Sequence, residues 1–324
     1  MDKKRIIDFV ESSFLKSLLS KKEITDISYN GIELFYEDRS KGRKKAEFEV
    51  SSKEVGDFLR QIANFAERQF TYLNPILDVS FGRYRLNATF YSVVRVADRK
   101  TYSFSLRLGH YGSAINDDPS FFPGKSRRLI LDALAKGESI VISGETGSGK
   151  TELQKYLLLR LPSNTRVINI DNVEELELSR DQESGVDLTS WHVDEHNPNS
   201  TFSALIKNAL RNNPDYLIVA EIRGEEMFDA LNAVMSGHPI ITTIHAKGIS
   251  FIPHRMARLA QLGGENLVFE DLLGDIYDHF TLLVHVDKEY EGGEVRRHIQ
   301  EVGRINRETR SIDTLFRYEK EEDV

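Results

Sequence analysis

The chain has 324 residues, 40% hydrophobic and 29% charged, which leaves room for two folded domains and excludes a disordered chain. It has no cysteine, which rules out disulfide frameworks, thiolate zinc sites and cysteine nucleophiles. A formal net charge of −8 runs against the basic excess of proteins that grip phosphate backbones, so direct nucleic-acid binding is not expected.

Lys3, Lys4 and Arg5 open the chain, but Asp8 and Glu11 interrupt the apolar run behind them, so no signal peptide is predicted. Ile7, Val10, Phe14 and Leu18 recur at helical spacing and predict an amphipathic helix packed on its own domain. No stretch approaches the ~18–20 apolar residues needed to cross a bilayer. Residues 23–50 read as short strands, with Ile24, Ile27 and Tyr29 before the Asn30-Gly31 turn and Ile32, Leu34 and Tyr36 after it. The basic run Arg39–Lys45 reads as a solvated hairpin turn. A helix is predicted over 52–70. Strands follow over 76–108, on the alternations Tyr84, Leu86, Ala88, Phe90 and Tyr102, Phe104, Leu106, Leu108. Residues 1–110 are therefore expected to form a smaller α+β domain, and the Gly-, Asn-, Asp- and Pro-rich tract 111–124 a linker.

From 125 to 324 helix and apolar strand alternate, as an α/β domain with a mostly parallel sheet requires. Helices are predicted over Arg127–Lys136 and Lys150–Leu161. Ser139–Ser143, Val167–Ile170, Leu217–Ala220 and Ile240–Ile244 read as strands buried on both faces. Leu282–Val286 and Val295–Val302 flank Gly292-Gly293, which suggests a closing hairpin.

Gly144-Glu145-Thr146-Gly147-Ser148-Gly149-Lys150-Thr151 matches G-x-x-x-x-G-K-[ST] between the strand Ile140-Val141-Ile142 and a helix. Glycines let successive N–H groups point inward at phosphate oxygens, and the helix that follows aims its N-terminal dipole at the same anion. Lys150 is expected on the β- and γ-phosphates of a nucleoside triphosphate and the Thr151 hydroxyl on Mg²⁺. Leu217-Ile218-Val219-Ala220-Glu221 is an apolar run delivering a carboxylate, so Glu221 is expected to polarise the attacking water or to orient it through the metal shell. Asp171 and Glu175 follow the Val167–Ile170 strand, and His245 ends the Ile240–Ile244 strand. All three fall at the C-terminal edge where open α/β sheets bind ligands. His245 could sense the γ-phosphate or link sites between subunits.

Taken in order, these blocks resemble the hexameric traffic ATPases of type II and type IV secretion, which include type IV pilus motors. The blocks are Gly144–Thr151, the acidic box Ile170–Leu176, Leu210-Arg211-Asn212-Asn213-Pro214-Asp215 leading into Leu217–Gly224, and Gly237-His238 followed by Thr242-Thr243-Ile244-His245-Ala246. Glu23–Gly31 is similar to the family's opening strand and turn, and Arg85-Leu86-Asn87 and Ser105-Leu106-Arg107 resemble its arginine-bearing strands. The resemblance implies a RecA-like P-loop domain, ATP hydrolysis with Mg²⁺, and Arg85 and Arg107 at the nucleotide. It also implies a homohexameric cytoplasmic motor whose domains rock against each other. Such a motor works with inner-membrane components of a secretion, conjugation or pilus machine, peripherally on the cytoplasmic membrane. The acidic box departs from the family's usual Glu-Asp by reading Asp171-Asn172, which shortens the reach of the first carboxylate by about 1.5 Å. Glu152 stands where a second hydroxyl is common, and the cysteine-bound zinc insert is absent. The last feature points to the Vir-type conjugation branch or the retraction-motor branch. A nucleic-acid translocase and a slowly hydrolysing assembly platform are the competing readings.

Overall fold

The computed structural model describes residues 2–96, 98–109, 113–116, 118–172, 176, 185–194, 197–291 and 294–319. It divides into two compact units, Met1–Tyr111 with Tyr290–Val295, and Gly112–Glu289 with Arg296–Val324.

In the first unit a six-stranded sheet runs in the order β3-β2-β1-β8-β5-β4. Its strands are β1 (Ile24–Tyr29), β2 (Leu34–Asp38), β3 (Gly42–Lys45), β4 (Ile76–Phe81), β5 (Tyr84–Thr89) and β8 (Ser103–Leu108), and every pair is antiparallel. The short β6 (Arg95–Val96) and β7 (Arg99–Lys100) pair apart from it. The alternating residues Tyr84, Leu86, Ala88 and Phe90 are all buried in one core, with Phe58, Leu59 and Ile62 of α3 (Ser52–Phe65). The N-terminal amphipathic stretch packs on this core through Ile6, Val10, Leu15 and Leu18. It is two helices, α1 (Lys3–Glu11) and α2 (Lys16–Leu19). The break has a local cause. The N–H and the hydroxyl of Ser13 both turn back to the Val10 carbonyl, which the Phe14 N–H of a continuing helix would need. Asn30-Gly31 does join β1 to β2, but Ile32 is exposed outside either strand, because the Asn30 side chain accepts from the N–H groups of Ile32 and Glu33 and widens the turn. The β2–β3 turn lies within the basic run and is closed by Asp38, which accepts from the N–H groups of Ser40 and Lys41.

The second unit carries an eight-stranded sheet, β11-β10-β12-β13-β9-β14-β15-β16. Its strands are β9 (Ile140–Ser143), β10 (Arg166–Asp171), β11 (Asp187–His192), β12 (Tyr216–Val219), β13 (Ile240–Ile244), β14 (Leu282–Glu291), β15 (Glu294–Asn306) and β16 (Ser311–Arg317). From β11 to β14 the pairs are parallel, so those strands share a C-terminal edge. Alternate residues of each strand face opposite cores. Ile140, Ile142, Val167 and Ile218 meet α4 (Ser126–Ala135) and α5 (Lys150–Leu158), while Val141, Ile168, Leu217 and Val219 meet the helices of the other face. Those are α6 (Phe202–Ala209), α7 (Glu226–Met235), α8 (Ile252–Ala260) and α9 (Phe269–His279). Both β11 and β16 were unforeseen in the sequence. β11 buries only Leu188 deeply, so its apolar signal is faint. Within the tract read as a linker, Ile115, Phe121 and Phe122 are buried in the second unit's core.

Candidate functional site

Four parallel strands end side by side, and each carries an expected site residue at its end or just past it. The β9 exit is the glycine-rich loop. Gly144, Gly147 and Gly149 adopt φ values of 155°, 77° and 106°, the left-handed region that L side chains avoid. A Cβ on Gly144 would lie 2.3 Å from the Val286 carbonyl oxygen, so only glycine lets the loop pass this close to β14. Gly149 is the N-cap of α5, which directs the first-turn N–H groups of that helix toward the space the loop encloses. Ser148 is fully buried and its Oγ has no hydrogen-bond partner, a polar atom waiting in an otherwise sealed loop.

Lys150 is almost fully buried, with Nζ donating to the carbonyls of Gly144 (2.9 Å) and Glu145 (2.8 Å). The Gly144 carbonyl also faces His245 Nδ1 at 3.2 Å. The other ring nitrogen, Nε2, is 2.8 Å from Glu221 Oε1, at ion-pair distance without an aligned hydrogen bond. Glu221 is held from both sides. Ala220 N–H donates to Ile170 of β10, Ile222 N–H donates to Thr243 of β13, and the Thr243 hydroxyl donates to Ala220. Its second carboxylate oxygen accepts from Arg223 at 2.6 Å. Burial pushes the Glu221 carboxyl up, but the Arg223 hydrogen bond and charge, with His245 and Lys150, outweigh it and hold the group below its ordinary value. A cavity of about 220 Å³ opens beside this carboxylate, lined by Asn172, Phe202, Glu221, Arg223, Gly224 and Glu226.

The structure thus brings Gly144, Lys150, Glu221 and His245 into one contact network. Asp171 ends β10, the strand beside β12, and is buried; Thr151 stands in the first turn of α5. Glu175 lies outside the described residues. Arg85 and Arg107 belong to the first unit, directly opposite one another on β5 and β8, where like charges repel. Each is matched by a carboxylate of its own sheet, Asp78 and Asp26, both at 3.4 Å.

Other residues here carry no motif. Gln154 of α5 is fully buried and donates to the carbonyls of Val219 and Ile241, tying the loop helix to β12 and β13. His285 lies 2.9 Å from the Ser143 hydroxyl, and burial foremost holds its ring below the ordinary histidine value. Lys288 Nζ donates to the Thr146 carbonyl at 2.9 Å, and Arg297 Nε to the Gly147 carbonyl at 2.8 Å. Both reach the loop from β14 and β15, more than a hundred residues away in sequence, so no local pattern could announce them.

A mostly parallel sheet with helices on both faces, and a glycine-rich loop and lysine between a central strand and a helix, define a P-loop nucleotide-binding fold. The family model described as "Type II/IV secretion system protein" matches residues 102–279, and the chain belongs to that family. An uncharacterised Bacillus anthracis protein is 28% identical over 293 residues, 87% of this chain and 64% of that one. The type IV secretion system protein VirB11 of Brucella suis is 37% identical over 168 residues, 50% of this chain and 46% of its own length. The chain therefore spans between about half and two thirds of these two curated relatives. Among solved structures, the Legionella pneumophila ATPase DotB superposes with a TM-score of 0.67 at 24% identity, covering 96% of this chain and 83% of that one. The pilus retraction motor PilT with bound ADP gives 0.61 at 17% identity, covering 89% and 82%. Both likenesses speak to the fold.

Proposed function

We propose that this protein hydrolyses ATP and serves as a motor subunit of a bacterial type IV secretion or conjugation machine, assembled as a homohexamer. The observation that carries the chemistry is the single network in which the Gly144 carbonyl, Lys150, His245 and Glu221 meet at the mouth of the glycine loop. The family supports the machine, and the Brucella VirB11 relative favours its type IV secretion form. Among the described residues no helix is long and apolar enough to cross a membrane.

ATP would lay its β- and γ-phosphates against the main-chain N–H groups of residues 145–150, with Lys150 exchanging the Gly144 and Glu145 carbonyls for phosphate oxygens. Glu221, held ionised by its neighbours, is the group able to take a proton from the attacking water, and Asp171 stands on the adjacent strand end to share that role. His245 touches both the loop and Glu221 and can report to one what occupies the other. Mg²⁺ fits the donors present: the Thr151 hydroxyl and the Glu221 carboxylate are hard oxygen ligands, and the orphaned Ser148 Oγ marks a loop lined for a polar guest. When bound, it supplies charge neutralisation on the phosphates. Arg85 and Arg107 are assigned by the family resemblance to the charge that develops in phosphoryl transfer.

The test is steady-state phosphate release by the purified protein and by Lys150→Ala, with mass photometry of both in the presence of nucleotide. Loss of turnover in the variant and a ring-sized species in the wild type are expected. Wild-type turnover in Lys150→Ala would remove the catalytic assignment, and hydrolysis that requires added DNA would transfer the protein to the translocases.

A further inference from the structure

Two cations from outside every motif grip the tip of the phosphate loop. Lys288, near the end of β14, donates to the Thr146 carbonyl, and Arg297, early in β15, donates to the Gly147 carbonyl. Both side chains lie close against the loop's glycines. A Cβ on Gly147 would come within 3.8 Å of Lys288 Nζ, and one on Gly149 within 3.9 Å of Arg297 Cδ. With Lys150 on the carbonyls of Gly144 and Glu145, four consecutive carbonyls of the loop are each held by a cation.

A peptide group is planar, with its C=O and the next residue's N–H pointing in opposite directions. A cation that holds the Thr146 carbonyl therefore aims the Gly147 N–H the other way, and one that holds the Gly147 carbonyl fixes the Ser148 N–H, which donates to the Glu145 carbonyl at 3.3 Å and closes the turn. Glycine at 147 leaves the chain free to rotate through these orientations unless something pins it. Lys150 must leave its carbonyls to meet a phosphate; Lys288 and Arg297 are placed to stay.

We infer that Lys288 and Arg297 are positioning residues, which pin the Thr146 and Gly147 peptides so that the Gly147 N–H is preset for the polyphosphate of a nucleotide while the Ser148 N–H keeps the loop's turn closed on the Glu145 carbonyl. This rests on the ATP-binding reading above. The pins act through the main chain, so they set affinity for the phosphates and do not take part in proton transfer. Losing a charged hydrogen bond of this kind costs affinity by about tenfold or more.

The experiment is calorimetric titration of ADP with Mg²⁺ into wild type, Lys288→Met, Arg297→Gln, Arg297→Lys and Arg296→Gln, at low and at high salt. Arg296 precedes Arg297 on β15 but stacks over the Tyr318 ring, so its loss removes the same charge without touching the loop. Melting curves show which variants fold. Lys288→Met and Arg297→Gln are expected to bind about tenfold more weakly at both salt concentrations. Arg297→Lys, which keeps a donor, should recover part of the loss, and Arg296→Gln should bind as wild type. The salt series separates pinning from bulk charge, since the screening length falls from about 10 Å at 0.1 M to about 3 Å at 1 M. Hydrolysis should show a raised KM with kcat retained at saturation. A defect that vanishes at high salt, or that Arg296→Gln shares, overturns the positioning role in favour of a diffuse field. Wild-type affinity in both variants overturns it outright, with nucleotide binding still standing. No ADP binding by the wild type would instead sink the reading it rests on.

Discussion

Gly144→Ala offers the sharpest test of how the loop is built. The added methyl would stand 2.3 Å from the Val286 main-chain oxygen and 2.6 Å from Ser148 Oγ, against an ordinary contact of 3.4 Å or more. Val286 lies in β14, so the obstacle is sheet backbone rather than a side chain that can swing aside. The loop must therefore retreat by about 1 Å, carrying with it the carbonyl that Lys150 and His245 both address. The φ of 155° adds backbone strain of about 1–3 kcal/mol, and the overpacking a comparable amount. About 3 kcal/mol in total would lower the melting temperature of the second unit by roughly 6–12 °C. A displacement of about 1 Å in a positioning group costs on the order of 10²-fold in turnover. Gly137→Ala is the matched control. Its φ is 70° with nothing within 4 Å of the new methyl, so it carries the left-handed penalty of roughly 1–2 kcal/mol alone and should leave hydrolysis unchanged. Differential scanning fluorimetry and phosphate release on both variants decide the matter. If Gly144→Ala melts and hydrolyses like Gly137→Ala, the close approach of loop and β14 does not govern the site.

Glu221→Gln should lower kcat by about 10²- to 10⁴-fold while ADP affinity changes little, measured by phosphate release and calorimetry; comparable losses in both would recast Glu221 as a binding group. Because its folded value is depressed, Glu221 contributes stability that is complete above its ordinary value of 4.5 and is lost as pH falls through the folded one. The melting gap between wild type and Glu221→Gln should therefore close on acidification below pH 4.5. His285 is also depressed, chiefly by burial, so its contribution is complete above the ordinary 6.5 and declines as pH falls below it. His285→Gln should flatten the fall in melting temperature over that interval, and an unchanged slope would show that the ring is not kept neutral in the fold.

Much of the site was legible because its parts are written as short strings with a mechanical reason for their spacing. Gly144–Thr151 needs glycines and a lysine at fixed offsets to cradle phosphate, and β9, β10, β12 and β13 announce themselves as apolar runs because they are buried on both faces. Parallel strands, once recognised, must end at one edge, so the meeting of loop, Glu221 and His245 follows from topology. The edge strands β11 and β16 were illegible for the opposite reason: only Leu188 among their residues is buried, and composition then says little. Ile115, Phe121 and Phe122 sit among turn-forming residues yet fill a core, a choice made by the cavity beside α4 and α5 and invisible to local pattern. Sequence by itself determined the fold class and which residues stand at the shared strand edge, since both depend on periodicity and local spacing. Tertiary structure alone decided what holds those groups in place. Gln154 on two strand carbonyls, Arg223 on Glu221, and Lys288 and Arg297 on the loop tip are hydrogen bonds with distant or unpatterned partners, and such bonds exist only once the chain has folded.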